Sequence, residues 1–435
     1  MNQKDPVTKL QGEIPDYPVR GEKCYKHGLF WVSPHNFELV DQANDPKFVS
    51  IHDVTLRDGE QTPGVTFLED ERVAIAEVLS ELGVSRIEAG MPAVSDAVFN
   101  SLKRITRKNL KPEIYGFARA LEKDVRLVLD SGASGIVIEH CVSPYKCKYG
   151  YGLTPETLVD RLVTSIKFAK QNGLKTTFMG WDWFRAPIEF THWLIDEIMN
   201  EVEFDGLTIV DTVGSTLPDA VYEMFKRFHA WFPSLALEFH GHNDFNLGVG
   251  CALAAVKAGA ACVHTAMNAL GDRTGNTATE EVVLSLEILK DIRTGVDLTK
   301  FDRASRFIAE IAKIPIPASK PILGERNYMI ESGIATHLTH KTKHILGDQA
   351  LYPSNGTILP ALIGRAGEEQ LILGKNSGAS SVMLILEKCN IPYTEEEVEK
   401  ILDAVKEEAF VTKALVSEET FLYLVDKIKT ASEPC

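Results

Sequence analysis

Leu235-Ala236-Leu237-Glu238-Phe239-His240-Gly241-His242-Asn243-Asp244 reads as a short strand ending in a polar cluster, and Leu247 to Lys257 after it reads as a helix. Side chains alternate faces along a strand, so His240 and His242 point one way and Gly241 the other. Two imidazoles on one face, two residues apart, can share a divalent metal. They can equally be core histidines with satisfied nitrogens, and an H-x-H pair alone does not decide between the two. The fold turns on whether this strand–loop–helix unit repeats.

From Phe48 onward it does repeat. Candidate strands are Phe48–Val54, Val84–Ala89, Glu113–Phe117, Gly135–Glu139, Lys175–Met179, Gly206–Asp211, Leu235–His240 and Ala261–Met267. Between them lie helical stretches at Glu69–Leu82, Ser95–Leu102, Asp124–Leu129, Pro155–Gln171, Glu189–Asn200, Leu217–His229, Leu247–Ala258 and Thr279–Asp291. In the first of these, Ile75, Val78, Leu79 and Leu82 fall at i, i+3, i+4 and i+7. Eight strands alternating with eight helices over about 245 residues predict a (β/α)8 TIM barrel. A doubly wound sheet is the alternative, but no G-x-G-x-x-G follows the first strand.

The flanks are different. Pro6, Pro15, Pro18 and Pro34 punctuate the first 46 residues, which carry an aromatic stretch at Tyr25, Phe30 and Trp31. That stretch reads either as a segment that docks on the chain's own body or on a partner subunit, or as a loose leader, and the residues leave both open. After about Ile314 the alternation fails, and helical runs follow at Ala379–Lys388, Glu395–Ala409 and Glu418–Thr430. Thr394 with Glu397 is a capping-box signal for the second of them. The expected organisation is an N-terminal extension (1–46), a catalytic barrel (47–314) and a mostly helical C-terminal subdomain (315–435).

The 435 residues are 44% hydrophobic and 25% charged, as in ordinary globular chains. A net charge of −15 argues against nucleic acid and anionic membrane surfaces as partners, though a local Arg or a metal can still hold an anionic substrate. The seven cysteines are odd in number and lack a C-x-x-C pair, which fits a reducing cytoplasm rather than a disulfide or zinc-ribbon framework. No apolar h-region opens the chain and no stretch is apolar enough to span a bilayer, so neither signal peptide nor membrane anchor is expected.

Catalytic groups of such barrels sit at the C-terminal strand ends. The first strand runs into Thr55-Leu56-Arg57-Asp58-Gly59-Glu60-Gln61, the seventh into the His pair, and the eighth into Asn268-Ala269-Leu270-Gly271-Asp272-Arg273-Thr274-Gly275-Asn276. Closure makes the first and eighth strands neighbours, and the eighth and seventh. Three polar loops therefore meet on one arc of the rim. Asp58, His240, His242 and the Asn276 amide oxygen make a mixed N/O donor set that suits Mg, Mn, Fe, Co or Zn. Arg57 beside it would be a fixed cation over a developing oxyanion, with a rim salt bridge to Glu88 or Asp211 as the plainer reading.

The run Leu56-Arg57-Asp58-Gly59-Glu60-Gln61-Thr62-Pro63-Gly64, the H-x-H-N-D at 240–244 and the N-x-x-G-D-R-x-G-N at 268–276 resemble the acyl-CoA-dependent aldol-type synthases of the DRE-TIM metallolyase superfamily. These include 2-isopropylmalate, homocitrate, citramalate and Re-type citrate synthases. The resemblance implies a metal on Asp58, His240, His242 and Asn276, chelating a 2-oxo acid and polarising its carbonyl. Arg57 would stabilise oxyanion charge, while Gln61, Glu88 and Thr212 position substrate or the metal's ligands. Arg185 stands where the family often has an E-D-x-x-R run and would grip a second carboxylate, or else is an ordinary surface arginine.

In the tail, Glu331-Ser332-Gly333-Ile334 resembles the family's E-S-G-I-H-x-D motif, with Ala335 at the His position and His337 two residues on. Leu373-Gly374-Lys375-Asn376-Ser377-Gly378 resembles L-G-K-H-S-G with Asn for His. The resemblance implies His337 as proton acceptor for the acyl methyl, assisted by Tyr352, and a homodimer that exchanges tail residues. The expected partners are acetyl-CoA as co-substrate and a small 2-oxo acid. The alternative is a carbon–carbon lyase of the 3-hydroxy-3-methylglutaryl-CoA lyase type. That class carries a Cys-bearing G-G-C-P-Y loop where this chain has Leu270-Gly271-Asp272-Arg273. A non-catalytic barrel is disfavoured by the intact donor set.

Overall fold

A computed structural model describes residues 25–26, 29–346, 356–365 and 370–432. The chain forms two compact units, His35–Pro317 and a second made of Met1–Pro34 with Ala318–Cys435.

The first unit is a closed parallel barrel of eight strands. They are β1 (Ser50–Asp53), β2 (Arg86–Glu88), β3 (Glu113–Arg119), β4 (Gly135–Cys141), β5 (Lys175–Trp181), β6 (Gly206–Asp211), β7 (Ala236–Gly241) and β8 (Cys262–Thr265). Each predicted strand is present, and β8 pairs with both β7 and β1 to close the ring. The surrounding helices are α1 (Glu69–Leu82), α2 (Asp96–Thr106), α3 (Glu122–Ser131), α4 (Pro155–Gln171), α5 (Ile188–Glu201), α6 (Pro218–Trp231), α7 (Gly248–Lys257) and α8 (Thr279–Leu284). The predicted eighth helix is shorter than expected as α-helix, because a π turn takes over at Ser285–Leu289. Among the described residues, α-helical segments at His35–Glu38, Pro144–Tyr149, Gly333–Leu346 and α9 (Phe301–Ala312) had no expectation.

Local chemistry sets these boundaries. α1 stops at Gly83, whose φ of 95° is the left-handed conformation a helix C-terminus favours. A Cβ there would lie 2.7 Å from the Gly295 carbonyl oxygen, so only glycine fits. The Ser95 hydroxyl accepts from the Val98 N–H at the start of α2. On β7 the period of two sends Leu237 and Phe239 outward, where the Phe239 ring sits 6.0 Å from Phe225 of α6. Glu238 and His240 point inward. Along α6, Val221, Phe225 and Phe228 repeat at helical spacing and are fully buried.

In the second unit, strand Phe30–Trp31 pairs with Tyr25–Lys26, and the Trp31 N–H donates to the Thr357 carbonyl at 2.8 Å. The aromatic stretch of the N-terminus thus docks on the chain's own residues. The helices are α10 (Gly333–Leu346), α11 (Ala379–Lys388), α12 (Glu395–Thr412) and α13 (Glu418–Ser432). Val382, Leu386, Ile401, Val405 and Phe421 form a core among α11, α12 and α13. The expected capping box holds: Glu397 N–H donates to Thr394 Oγ1 at 3.2 Å, and Thr394 N–H to Glu397 Oε2 at 2.8 Å.

Candidate metal centre and barrel mouth

Asp58 sits in the tight turn after β1, where Arg57, Asp58 and Gly59 all donate their N–H to the Val54 carbonyl. Its side chain is buried. His240 Nε2 lies 3.0 Å and His242 Nε2 3.8 Å from Asp58 Oδ2. One ligand atom from each of the three residues falls within a 4.8 Å span. β7 continues past Gly241 by pairing with the loop after β8: Asn243 N–H donates to Gly275 O, Thr277 N–H to Gly241 O, and His242 bridges Asn276. That pairing brings Asn276 to the histidines. The Asn276 Nδ2 donates to the Leu270 carbonyl at 2.9 Å, which fixes its amide. Gly271 makes room for it, with φ of 155°; a Cβ there would be 2.3 Å from Asn276 Nδ2.

The donor set fits a divalent cation. Asp58 Oδ1 and Asn276 Oδ1 are buried acceptors without a hydrogen-bond donor. Both imidazoles are held neutral, as ligands must be: burial pushes His242 down to about 4 and also lowers His240 against the pull of Asp58. For Asp58, burial would raise the carboxyl, but Arg57 and the His240 hydrogen bond outweigh it and hold it far below the usual range.

Arg57 is almost buried. Its guanidinium pairs with Glu88 through Nε, lies 3.2 Å from Asp58 through Nη1, and stacks 4.2 Å over the Phe117 ring. The rim salt bridge of Arg57 is therefore made to Glu88. Asp211 instead accepts the N–H groups of Ser215 and Thr216. Glu88 is buried, yet Arg57 and His52 overcome the penalty of burial and hold it at about 2.

Beneath the mouth the barrel interior is polar. His52 Nε2 bonds Glu88 at 3.1 Å, and its ring stacks on His264 at 4.2 Å. His264 Nε2 bonds Glu238 at 2.8 Å, and Glu238 pairs with Arg86 at 2.6 Å. His52, Glu238, Cys262 and His264 also cluster within 4.8 Å. Arg86 already neutralises the one carboxylate of that group, and burial pushes the Cys262 thiol up. It is an internal ion-pair layer rather than a second cation site.

Gln61 is exposed on the turn Gly59–Gln61. Thr212 at the end of β6 accepts the Asp182 N–H on its hydroxyl at 2.8 Å and an Arg273 Nη2 on its carbonyl at 2.6 Å. Arg185, half-exposed, is paired with Asp182, which also holds Lys146 at 2.9 Å. His337 belongs to α10 of the second unit and is exposed, its Nδ1 3.0 Å from Ser380 Oγ. Tyr352 lies outside the described residues. Sequence reading missed Glu139 and Lys146 at the mouth, and the layer formed by His52, Arg86, Glu238 and His264. The available signal was period-two alternation: Val137 of the barrel core puts Glu139 on the same inner face of β4.

The HMGL-like family model matches residues 48–308. The chain belongs to the HMGL-like family. It is thereby a member of the DRE-TIM superfamily. It is similar to a protein of Ignicoccus hospitalis named "Probable 2-isopropylmalate synthase", 36% identical over 83% of this chain and 88% of the relative. A homocitrate synthase of Methanopyrus kandleri is 33% identical over 86% of this chain and 91% of its own. An (R)-citramalate synthase of Methanocaldococcus jannaschii is 32% identical over 88% and 77%. Among solved structures, an HMG-CoA lyase of Bacillus subtilis superposes with a TM-score of 0.57 at 23% identity, covering 63% of this chain and 96% of that one. That likeness shows the shared barrel fold. These three relatives carry synthase names, which does not favour the lyase alternative. No helix among the described residues is long and apolar enough to cross a membrane.

Proposed function

We propose that the barrel is a metal-dependent synthase that joins acetyl-CoA to a 2-oxo acid, giving a 2-hydroxy di- or tricarboxylate and free CoA. The observation that carries this reading is the pair of undonated, buried oxygens on Asp58 and Asn276 beside two neutral imidazoles, with Arg57 fixed at the same rim. A divalent cation held by Asp58, His240, His242 and Asn276 would supply a chelation site for the oxo acid and Lewis-acid polarisation of its carbonyl. Arg57 cannot deprotonate in this setting, so it presents a full charge to the oxygen on which negative charge develops. Glu88 and the Phe117 face hold that guanidinium in place before substrate arrives. Gln61 and Thr212 are read as positioning the substrate or the metal's ligands. Arg185 is read as the grip for a second carboxylate, which favours oxaloacetate or 2-oxoglutarate as the oxo acid. The enzyme is read as a cytoplasmic homodimer.

The test is CoA release, followed with a thiol reagent, from acetyl-CoA with Mn or Mg and a panel of 2-oxo acids. Release with one oxo acid, lost in H242A together with bound metal, is the expected result. Wild-type protein that binds metal and releases no CoA across the panel would overturn the synthase reading.

A further inference from the structure

The proposed condensation needs an acceptor for a proton of the acyl methyl, and most carboxylates near the mouth are already engaged. Asp58 bonds Arg57 and His240. Glu88 bonds Arg57 and His52. Asp182 is held by Arg185 and Lys146, and Asp211 caps two backbone N–H groups. Glu139 differs. It projects from the inner face of β4, one pleat above Val137, into the partly exposed throat of the barrel. Among the described residues its carboxyl makes no hydrogen bond and no ion pair. Arg57 is the first of the charges acting on it, followed by His140, Asp58 and Glu88. An unpaired carboxyl in such a place is costly to keep unless a ligand or a reaction uses it.

Resting on the synthase reading, we propose that Glu139 is the catalytic base of this site and takes a proton from the methyl of the acyl thioester. In that step the C–H bonding pair becomes the enolate π bond, the proton goes to Glu139, and charge passes to the thioester oxygen. The enolate carbon then bonds to the oxo-acid carbonyl carbon, whose π pair moves onto its own oxygen beside Arg57. The proton on Glu139 goes on to that alkoxide and completes the product hydroxyl. Water hydrolyses the thioester to the free acid and CoA thiol, which balances the reaction.

The electrostatics suit the role. Burial raises the Glu139 carboxyl above its ordinary value, Arg57 and His140 pull it back, and Asp58 and Glu88 push it up again. A carboxylate of raised basicity at neutral pH is a better acceptor than Glu88, which Arg57 keeps at about 2. His337, the acceptor implied by motif comparison, has its Nδ1 at Ser380 within the C-terminal unit.

The experiment compares wild type, E139Q and E139D as purified full-length protein with Mn bound. Three quantities are read: CoA release against oxo-acid concentration, loss of deuterium from trideuterated acetyl-CoA to solvent, and metal content by mass spectrometry. The expected result for E139Q is a kcat lower by roughly 100- to 10,000-fold, the usual scale for a general base. Deuterium loss should disappear with it, while bound metal and oxo-acid KM stay at wild-type levels. E139D should recover part of both rates. E139Q that keeps wild-type kcat, or that raises KM while still exchanging deuterium, would overturn the proposal and make Glu139 a binding contact. Wild-type protein without CoA release would sink the synthase reading itself, and Glu139 as base with it.

Discussion

Replacing Glu88 by Gln isolates the ion pair that fixes Arg57. The carboxyl is buried, so little solvent screening reduces the effect. It titrates at about 2 in the fold against an ordinary 4.5. The difference of roughly 2.5, at about 1.36 kcal/mol each, is about 3.4 kcal/mol of stability at pH 7. This agrees with the roughly 3–5 kcal/mol expected when one partner of a buried ion pair is removed. Because the folded pKa is depressed, the contribution is complete above pH 4.5 and fades as pH falls toward 2. At pH 3.5 about 2 kcal/mol should remain. The assay is urea unfolding of metal-free wild type and E88Q at pH 7 and pH 3.5, followed by tryptophan fluorescence of the barrel. E88Q should unfold at clearly lower urea at pH 7, with a smaller gap at pH 3.5. Equal midpoints at pH 7, or a gap that does not narrow in acid, would refute the claim that Glu88 is an ionised partner of Arg57.

Other outcomes follow from the same geometry. G271A places a methyl 2.3 Å from the Asn276 amide, so Mn affinity by calorimetry should fall about 10- to 100-fold, the scale for disturbing a ligand's support; unchanged affinity would remove Asn276 from the donor set. E238Q strips Arg86 and His264 of their shared carboxylate and should cost about 3–5 kcal/mol in barrel stability, read by thermal melting. T394A removes the capping box of α12 and should cost about 1 kcal/mol, seen as faster amide exchange in its first turn. R185A should raise KM for dicarboxylic oxo acids selectively; an unchanged preference in the substrate panel would leave Arg185 as a surface partner of Asp182.

Much of the barrel was legible because its signals are local. β-branched runs of strand length, helical periodicity over Glu69–Leu82 and Pro155–Gln171, and polar strand ends each report within a few residues. The arc formed by β7, β8 and β1 was also legible, since closure of an eight-stranded ring leaves no freedom in which strands are neighbours. Asp58, His240 and His242 met as that logic requires.

The chain by itself thus determined the class of fold, the order of its elements and the residue types gathered at one rim. Tertiary structure decided the partners. Period-two alternation says that Glu139, Glu238 and His52 face inward, but not which side chains they meet. That depends on strand tilt and register around the ring, which set Glu238 between Arg86 and His264 and leave the Glu139 carboxyl without a hydrogen bond or ion pair among the described residues. The Asn276 amide is aimed by a glycine five residues earlier and a backbone carbonyl one residue before that. The physical reason is the same in each case: what an inward polar group meets is set by segments brought together only in the fold, and a buried charge that finds no partner there is costly to keep.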